Sequence, residues 1–289
     1  MGALLKGDAK LKKEIHMHRG VWLKTSIILL LALMFLLPLL WMLSSSLKNS
    51  VQVFEQPFHW FPETLRWENY VEVWTHEEIP FWRLYLNSLT ISVCGITGQL
   101  IISSMAAYAF AKIEFKGKNI VFLVMLVTMM IPVQVMIIPR FILFRTLGIY
   151  NTLWCIILPH FFNITTIFLL RQFYMGLPDA LIEAARIDGA GHFRVWVRIM
   201  MPLTKNAMIS AAILGFINTW NEYLNPLIFL SNQKLFTVSL GVRWYLVDIA
   251  QEYNLMMAAA ASAIIPVVIL YIVAQDYFEE GIATAGVKG

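Results

Sequence analysis

A single carboxylate, Glu222, lies within the long apolar segments of this chain, and amide and aromatic side chains surround it. These neighbours are Asn218, Trp220, Asn221 and Asn225. Polar groups inside a membrane are costly and usually face a bundle interior or a water-filled cavity. An aromatic plane beside amides would suit a sugar, which offers an apolar ring face and hydroxyls at its edge. We expect these five residues to line a solute path, although a carboxylate at the outer membrane interface would explain Glu222 equally well.

No other residues have the spacing of a reactive site. The sequence lacks a GxxxxGK[ST] phosphate loop, so we expect no ATP hydrolysis by this chain, and it also lacks HExxH and GxSxG motifs. Cys94 and Cys155 lie in apolar segments and are expected to be small buried thiols. The histidines are scattered, and only His160 lies in an apolar segment, where helix packing is favoured over a proton relay. The chain is expected to be a non-catalytic subunit with no metal or cofactor of its own.

The distribution of charge predicts the elements that must position these residues. Of the 289 residues, 59% are hydrophobic and 14% are charged, whereas about 25% is usual for a soluble protein. Charged residues delimit six apolar stretches: Lys24 to Lys48, Arg83 to Lys112, Lys118 to Arg140, Arg145 to Arg171, Lys205 to Lys234 and Glu252 to Asp276. Each exceeds the roughly 20 residues that cross a bilayer as a helix. Barrel strands would be shorter and would alternate in polarity. We predict an all-α integral membrane protein with six transmembrane helices.

Basic residues predict the orientation, since Lys and Arg concentrate on the cytoplasmic side. They crowd before the first span, near 112–118 and within 171–205. Both termini and these two loops are therefore expected in the cytoplasm. The apolar run of the first span is too long for a signal-peptide core, so this span is expected to be retained. The predicted organisation is a basic tail at 1–24, a first transmembrane helix at 25–47, an extracytoplasmic loop at 48–84, a core of five further transmembrane helices at 85–275 and a C-terminal tail at 276–289.

The predicted outer loop is rich in aromatic residues, namely Phe58, Trp60, Phe61, Trp67 and Trp74. Tryptophan and tyrosine often form a belt at the membrane interface. A docking surface for an external solute-binding protein is the alternative. The sequence does not separate these two interpretations.

The cytoplasmic loop at 176–203 predicts a short helix that cannot span the membrane. Pro178 suits a first helical position, and negative charge early in a helix complements the helix dipole. Gly189 stands where a left-handed cap would end a helix of about ten residues, or about 15 Å. Leu181, Ile182, Ala184, Ala185 and Ile187 give this helix more apolar surface than a solvated loop needs. Such a surface indicates a packing partner.

The same loop resembles the EAA loop of ABC importer permeases. That motif reads EAA, three residues, Gly, nine residues and I-x-L-P, and it matches Glu183-Ala184-Ala185, Gly189, Ile199 and Pro202, with Met201 in place of leucine. Further matching segments are Asn87-Ser88, Ala106 to Phe110, Met130-Ile131-Pro132, Leu170 to Phe173, Trp220 to Tyr223 and Ala285 to Gly289. From about residue 80 onward, the chain resembles the second permease subunit of carbohydrate importers of the maltose-transporter type.

This resemblance implies a type I ABC importer permease fold and a role for the short helix as a coupling helix seated on an ATPase. The implied coupling residues are Glu183, Ala184, Ala185, Asp188, Gly189 and Pro202. Implied partners are a second permease subunit, two ATPase subunits that bind ATP and Mg, an extracytoplasmic solute-binding protein and a sugar. The implied location is a bacterial or archaeal plasma (inner) membrane. The tail 281–289 would approach the ATPase, but Asp276 departs from the family's usual arginine.

A secondary transporter or channel that acts without an ATPase is the alternative function. Proteins of that class commonly show internal repeats and intramembrane charges for ion coupling, and this sequence has no clear repeat. The sequence does not identify the solute. Oligosaccharides fit the resemblance best, and monosaccharides, polyols and sugar phosphates remain open.

Overall fold

A computed structural model describes the backbone of residues 2–57, 59–247 and 252–286, and the side chains of residues 21–22, 24–57, 59–246 and 252–275. All regular elements in these residues are helical. The α-helices are α1 (Gly2–Ser46), α2 (Glu68–Thr75), α3 (Phe81–Lys112), α4 (Lys118–Thr128), α5 (Ile137–Thr146), α6 (Trp154–His160), α7 (Ile164–Met175), α8 (Ala180–Ile187), α9 (His192–Val195), α10 (Met201–Leu203), α11 (Lys205–Trp220), α12 (Leu224–Phe229), α13 (Val238–Val247) and α14 (Tyr253–Gly286). Short 3-10 turns at Val51–Val53, Val133–Met136 and Gln233–Leu235 and a π-helix at Trp196–Met200 join them.

Four helical segments in the described residues are long and apolar enough to cross a membrane. They are Lys24–Ser46, Phe81–Lys112, Trp154–Met175 and Tyr253–Gln275. Two more segments qualify only as bent pairs: Lys118–Thr128 with Val133–Thr146 at 93°, and His192–Leu203 with Lys205–Trp220 at 80°. The all-α membrane fold class is therefore confirmed, with four spans, or six if each bent pair is one span.

The first helix continues from the basic tail into the apolar segment without a break. Helix α1 therefore has no break at residue 24, where the sequence predicts that the basic tail gives way to the first transmembrane helix. The predicted domain boundaries stay predictions. The first bend among the spans follows Thr128 and precedes Pro132. Proline has no N–H to continue a helical ladder, so the predicted third span is interrupted where the motif Met130-Ile131-Pro132 lies.

Helix α3 is the central element, and small polar side chains join it to its neighbours. The Gln99 amide donates to Thr166 Oγ1 of α7 at 2.8 Å. The Thr219 hydroxyl of α11 donates to Ser92 Oγ at 3.0 Å. Hydrogen bonds of this kind, together with small residues, hold helices together where lipid supplies no hydrophobic driving force between them. Several membrane helices are thus fixed to a single one.

Buried apolar clusters lie at both ends of α3. One joins Phe81 and Leu84 of its first turn to Trp220 and Tyr245. The other joins Tyr108 near its last turn to residues of α7, α8 and the π-helix, namely Leu170, Tyr174, Ile182, Ala185 and Trp196. A third cluster includes Cys155, a free and fully buried thiol. The two end clusters pack the short connecting helices α2, α8 and α13 onto the membrane helices.

The connection between α1 and α3 is anchored by the buried side chain of Asn69. Its amide donates to the carbonyls of Ser46 and Lys48, each at 2.8 Å, and its oxygen accepts from the Asn254 amide at 3.2 Å. The last carbonyls of a helix lack helical partners, so Asn69 satisfies the end of α1. Burial lowers the pKa of the Lys48 amine, and the charge of Glu55 opposes that shift.

The aromatic residues of this connection do not share one environment. Phe61 and Trp67 are 88% and 62% exposed, and Trp60 is 45% exposed. Trp74 instead packs against Phe81 and Tyr85, and its indole donates to Ser262 Oγ at 3.2 Å. Phe58 lies outside the described residues. Trp74 thus belongs to the core, while Phe61 and Trp67 are largely exposed.

Candidate functional site

Helix α8 is the short helix of the predicted coupling loop, and it begins later than the sequence suggests. It has eight residues, with Asp179 as its N-cap, so Pro178 precedes the helix. The Asp179 carbonyl accepts the first helical hydrogen bonds from Ile182 and Glu183, at 2.9 and 3.0 Å. Its side chain makes no capping bond. At about 1.5 Å per residue the helix is about 12 Å long, far short of a membrane span.

The end of α8 has the left-handed cap that the sequence predicts. Gly189 has φ +78°. Its N–H donates to the Arg186 carbonyl at 3.0 Å, and the Ala190 N–H donates to the Ala185 carbonyl at 2.9 Å. This pair of bonds is the Schellman arrangement, in which glycine avoids the steric penalty of a side chain at positive φ. Apart from its two sequence neighbours, no described atom lies within 4 Å of a Cβ built on Gly189, so the backbone conformation is what requires glycine here.

The apolar residues of α8 face two directions. Ile182 and Ala185 are buried against Tyr108, Tyr174 and Trp196. Leu181 and Ile187 are 41% and 87% exposed, and Ala184 and Glu183 are exposed beside them. The chain's own core therefore buries two of the five apolar residues that the sequence singles out. The other three, Leu181, Ala184 and Ile187, have no covering element among the described residues.

The start of α8 is fixed to the last residue of α3 by a shielded ion pair. Lys112 Nζ donates to Asp179 Oδ1 and to the Leu177 carbonyl, both at 2.6 Å. The Lys112 side chain is only 5% exposed, whereas the Asp179 side chain is 75% exposed. An amine with little solvent requires protein acceptors, and both acceptors here belong to the segment that leads into α8.

The other end of α8 reaches α3 through a histidine. Arg186 Nη2 lies 2.8 Å from His192 Nε2, and His192 Nδ1 lies 3.1 Å from the hydroxyl of Tyr108. A guanidinium only donates, so the His192 ring accepts from Arg186 and connects it to the Tyr108 hydroxyl. Tyr108 stands one helical turn before Lys112. Two residues on one face of α3 therefore connect to both ends of α8, Lys112 directly and Tyr108 through His192.

The segment that leads from α8 back to the membrane is irregular. It runs through α9, the π-helix and α10, and then bends by 80° into α11. Pro202 lies in α10 and is exposed, and proline leaves one carbonyl of the preceding turn without its helical donor. Beyond the proline, the Met200 carbonyl accepts from both the hydroxyl and the N–H of Thr204, at 2.9 and 3.2 Å. Asp188, the other predicted coupling residue of this region, ends α8 and is exposed.

Trp220, predicted to line the solute path, lies in the apolar core. It is 3% exposed, stacks on Phe216 and contacts Tyr85 edge-on. Its indole N–H donates to the Ala263 carbonyl at 2.9 Å. Both the ring and its polar atom are thus engaged by α3, α11 and α14. This packing role differs from the solute-stacking role predicted from sequence.

The four polar residues predicted beside Trp220 stay closer to a surface. Asn218 and Asn221 are exposed, and the Asn221 amide donates back to the Ile217 carbonyl at 2.9 Å. Glu222 is half-buried in the break between α11 and α12, where its Oε1 accepts from the Asn225 N–H at 3.1 Å. That bond caps the start of α12. Asn218 and Asn221 remain available for a solute.

Sequence reasoning did not identify Tyr108, Lys112 and His192 as parts of this site. Tyr108 and Lys112 stand four residues apart, a spacing that places them on one face of a helix, but nothing in the sequence indicates a partner 65 or more residues away.

His160, the histidine predicted to lie in an apolar segment, packs with its Cβ close to Gly95 of α3. Within the described residues, no group of three or more His, Cys, Asp or Glu residues could hold a metal ion.

The described residues thus form a bundle of apolar helices that holds a short amphipathic helix outside its spans. Residues 99–284 match the family described as binding-protein-dependent transport system inner membrane component. AraQ, an arabinooligosaccharide transport permease from Halalkalibacterium halodurans, is 34% identical over 93% of this chain and 96% of its own length. The diacetylchitobiose uptake permease NgcG from Streptomyces coelicolor is 32% identical over 86% and 83%. The sn-glycerol-3-phosphate permease UgpE from Yersinia pestis is 32% identical over 93% and 98%.

Solved structures share the fold. A chain from the crystal structure of a bacterial ABC transporter involved in alginate import has a TM-score of 0.79 at 24% identity, covering 89% of this chain and 95% of that one. The chain described here belongs to the inner-membrane components of binding-protein-dependent transport systems. It is a multi-pass permease subunit of an importer, and the resemblance noted in its EAA loop is confirmed.

Proposed function

We propose that this permease is one of two different membrane subunits of an ATP-driven oligosaccharide importer, and that separate ATPase subunits dock on the exposed side of α8. ATP and Mg would bind only to those ATPase subunits. The observation that carries the proposal is the outward face of α8, where Leu181, Ala184 and Ile187 stand beside Glu183. Exposed apolar surface with a polar margin is typical of an interaction site.

The coupling residues divide by their surroundings. Glu183 and Ala184 are exposed and would contact the ATPase directly. Ala185 is buried and would support α8 from within, while Gly189 would shape its end. Asp188 and Pro202 are exposed and would border the docking surface.

The orientation proposed here puts α8 and both termini in the cytoplasm, which follows from the basic residues near 112–118 and 171–205. A cysteine placed at Ile187 should react with an impermeant maleimide only in inside-out vesicles of a bacterial plasma membrane. A cysteine at Phe61, which is equally exposed at 88%, should react only in right-side-out vesicles. Both would be introduced with Cys94 and Cys155 replaced by serine. The reverse pattern would overturn the orientation.

Sugars are the proposed solutes because AraQ and NgcG are named for oligosaccharides. Asn218 and Asn221 are exposed amides that would bind sugar hydroxyls. We infer a lesser role for Glu222, whose carboxylate accepts from the backbone N–H of Asn225, and for Asn225, which lies inside α12. UgpE is named for a phosphorylated polyol, so sn-glycerol-3-phosphate belongs in any solute screen. An external solute-binding protein would deliver the solute, and Phe61 and Trp67 are candidate contacts for it.

The deciding experiment is uptake by the purified assembly in proteoliposomes, with arabino-oligosaccharides, diacetylchitobiose and sn-glycerol-3-phosphate as labelled solutes. Uptake should require both ATP and the solute-binding protein. Glu183→Lys should abolish uptake while membrane insertion stays normal. Glu114→Lys is the matched control, since Glu114 is also an exposed acid, 91% exposed, but lies outside α8. Uptake by this chain without an ATPase would refute the proposal and favour a secondary transporter or channel.

A further inference from the structure

The covalent connections of α8 are poorly suited to transmit its movement. On one side, the turn Gly176-Leu177-Pro178 separates α8 from α7. On the other side, Gly189 to Gly191, the π-helix and the 80° bend separate it from α11. Glycine turns and π segments are typical places where a chain flexes. A rigid link between α8 and the membrane helices must therefore come from side-chain contacts.

Ile182 and Ala185 pack against α7 and the π-helix as well as α3, but the polar contacts at the two ends of α8 converge on the last two turns of α3. Lys112 binds the entry to α8 through the Asp179 carboxylate and the Leu177 carbonyl, and Tyr108 binds the exit through His192 and Arg186. Contacts at both ends fix both the position and the direction of a short rod. A contact at one end alone would let α8 pivot.

Helix α3 also reaches the exposed amides at the far end of the bundle. Its Ser92 accepts from Thr219, the residue next to Asn218, and its Ser88 Oγ accepts from the Val238 N–H at 2.9 Å. A translation or rotation of α3 would therefore move the end of α11, where the segment that contains Glu222 begins. Helix α3 is a continuous helix of 32 residues, and its described residues contain no proline.

We infer that Tyr108 and Lys112 are positioning residues, and that α3 carries the movement of α8 to the solute path. This inference rests on the proposed function, because it assumes that an ATPase moves α8. The residues touch neither ATP nor solute, so their loss should uncouple hydrolysis from uptake and leave each partner bound.

The test uses the complete assembly in proteoliposomes and measures sugar taken up per ATP hydrolysed. Lys112→Met removes the amine but keeps an unbranched apolar stem. The ratio should fall at least about tenfold, as expected for the loss of a hydrogen-bonded charge. Lys112→Arg, which keeps the charge and the donors, should recover most of it. Tyr108→Phe, which keeps the ring and removes the hydroxyl, should lower the ratio by a smaller factor.

Lys118→Met is the matched control. Lys118 forms an ion pair with Glu114 at 3.0 Å, and its side chain is only 13% exposed, but the pair joins the connection after α3 to the first residue of α4. This variant should keep the wild-type ratio. Equal loss in Lys118→Met and Lys112→Met would overturn the inference, and so would a wild-type ratio in Lys112→Met. If the assembly does not form with Lys112→Met, Tyr108→Phe is the deciding variant: a lowered ratio supports the inference, and a wild-type ratio overturns it.

Hydrogen exchange gives a readout that a merely stabilising role would not change. Trapping the ATPase with vanadate should alter exchange in both α8 and residues 103–112 of the wild type. In Lys112→Met, the change should remain in α8 and disappear from residues 103–112. A change in both segments of the variant would refute the inference. Failure of the proposed function would look different, since the wild-type assembly itself would then show no ATP-dependent uptake.

Discussion

The hydroxyl of Tyr85 donates to the one carbonyl of α14 that Pro266 deprives of a helical partner. That carbonyl belongs to Ser262, four residues before the proline. The Trp220 indole donates to the next carbonyl, that of Ala263, at 2.9 Å. A proline within a membrane helix is tolerated where neighbouring side chains satisfy the freed backbone group. Here α3 and α11 each supply a donor.

The first prediction concerns this pair. Tyr85→Phe should lower the free energy of unfolding by about 1–3 kcal/mol, because a buried carbonyl loses its donor. In a Pro266→Ala background the restored backbone N–H can donate to Ser262, so the same change should cost less than about 1 kcal/mol. Denaturant unfolding in detergent measures both values as a double-mutant cycle. Equal losses in the two backgrounds would mean that Tyr85 does not replace the helical bond.

Spans and caps were predictable from sequence because they depend on local patterns. Apolar runs longer than a bilayer is thick predicted the membrane helices, and Gly189 predicted the end of α8. The spacing of the EAA loop predicted the family. Each of these signals comes from residues close in sequence to the feature that it predicts.

Contacts between distant segments were not predictable in the same way. Tyr85 and Ser262 are 177 positions apart, and the sequence shows only that Tyr85 and Pro266 each lie in an apolar segment. The same limit explains Trp220, whose neighbours suggest a solute path although its ring packs between α3 and α14. The two sides of α8 are a further case, since Ile182 and Ile187 are equally apolar and only the fold buries one of them.

The second prediction concerns Asn69, whose amide donates to the carbonyls of Ser46 and Lys48. Asn69→Asp removes both donors and places carboxylate oxygens against two carbonyl oxygens at a site that is 4% exposed. Asn69→Ala removes the donors without adding charge. Both variants should unfold at lower temperature, and aspartate should be worse than alanine because a buried carboxylate that faces two carbonyl oxygens, with only the Asn254 amide as donor, is costly. An aspartate variant as stable as the alanine variant would contradict this account.

The third prediction separates Trp220 from Asn218. Trp220→Phe should lower the free energy of unfolding by about 1–3 kcal/mol, because the Ala263 carbonyl loses its indole donor, and should leave the KM for sugar uptake unchanged. Asn218→Ala is exposed and should change stability by less than about 0.5 kcal/mol. It should raise the KM about two- to tenfold, the value of one neutral hydrogen bond. A raised KM in Trp220→Phe together with an unchanged KM in Asn218→Ala would indicate instead that Trp220 lines the solute path.

The last prediction distinguishes two reasons for glycine at position 189. Its φ of +78° makes an L residue unfavourable by roughly 1–2 kcal/mol, and asparagine tolerates this region better than alanine does. If backbone conformation alone matters, Gly189→Asn should transport almost normally and Gly189→Ala should be weaker. Apart from its two sequence neighbours, no described atom lies within 4 Å of the added Cβ, so a clash of that Cβ does not explain a loss of transport by Gly189→Ala.

We expect the other outcome, in which Gly189→Asn keeps the fold but loses transport. An asparagine side chain would project into the space that a docked ATPase should occupy beside the exposed face of α8. The unfolding temperature of Gly189→Asn should therefore stay near that of the wild type, while the amount of ATPase that co-purifies with it should fall. Gly191→Ala is the control, since Gly191 has no positive φ and its added Cβ also meets open space. Normal ATPase binding and transport by Gly189→Asn would remove close approach as a reason for this glycine and leave only the cap.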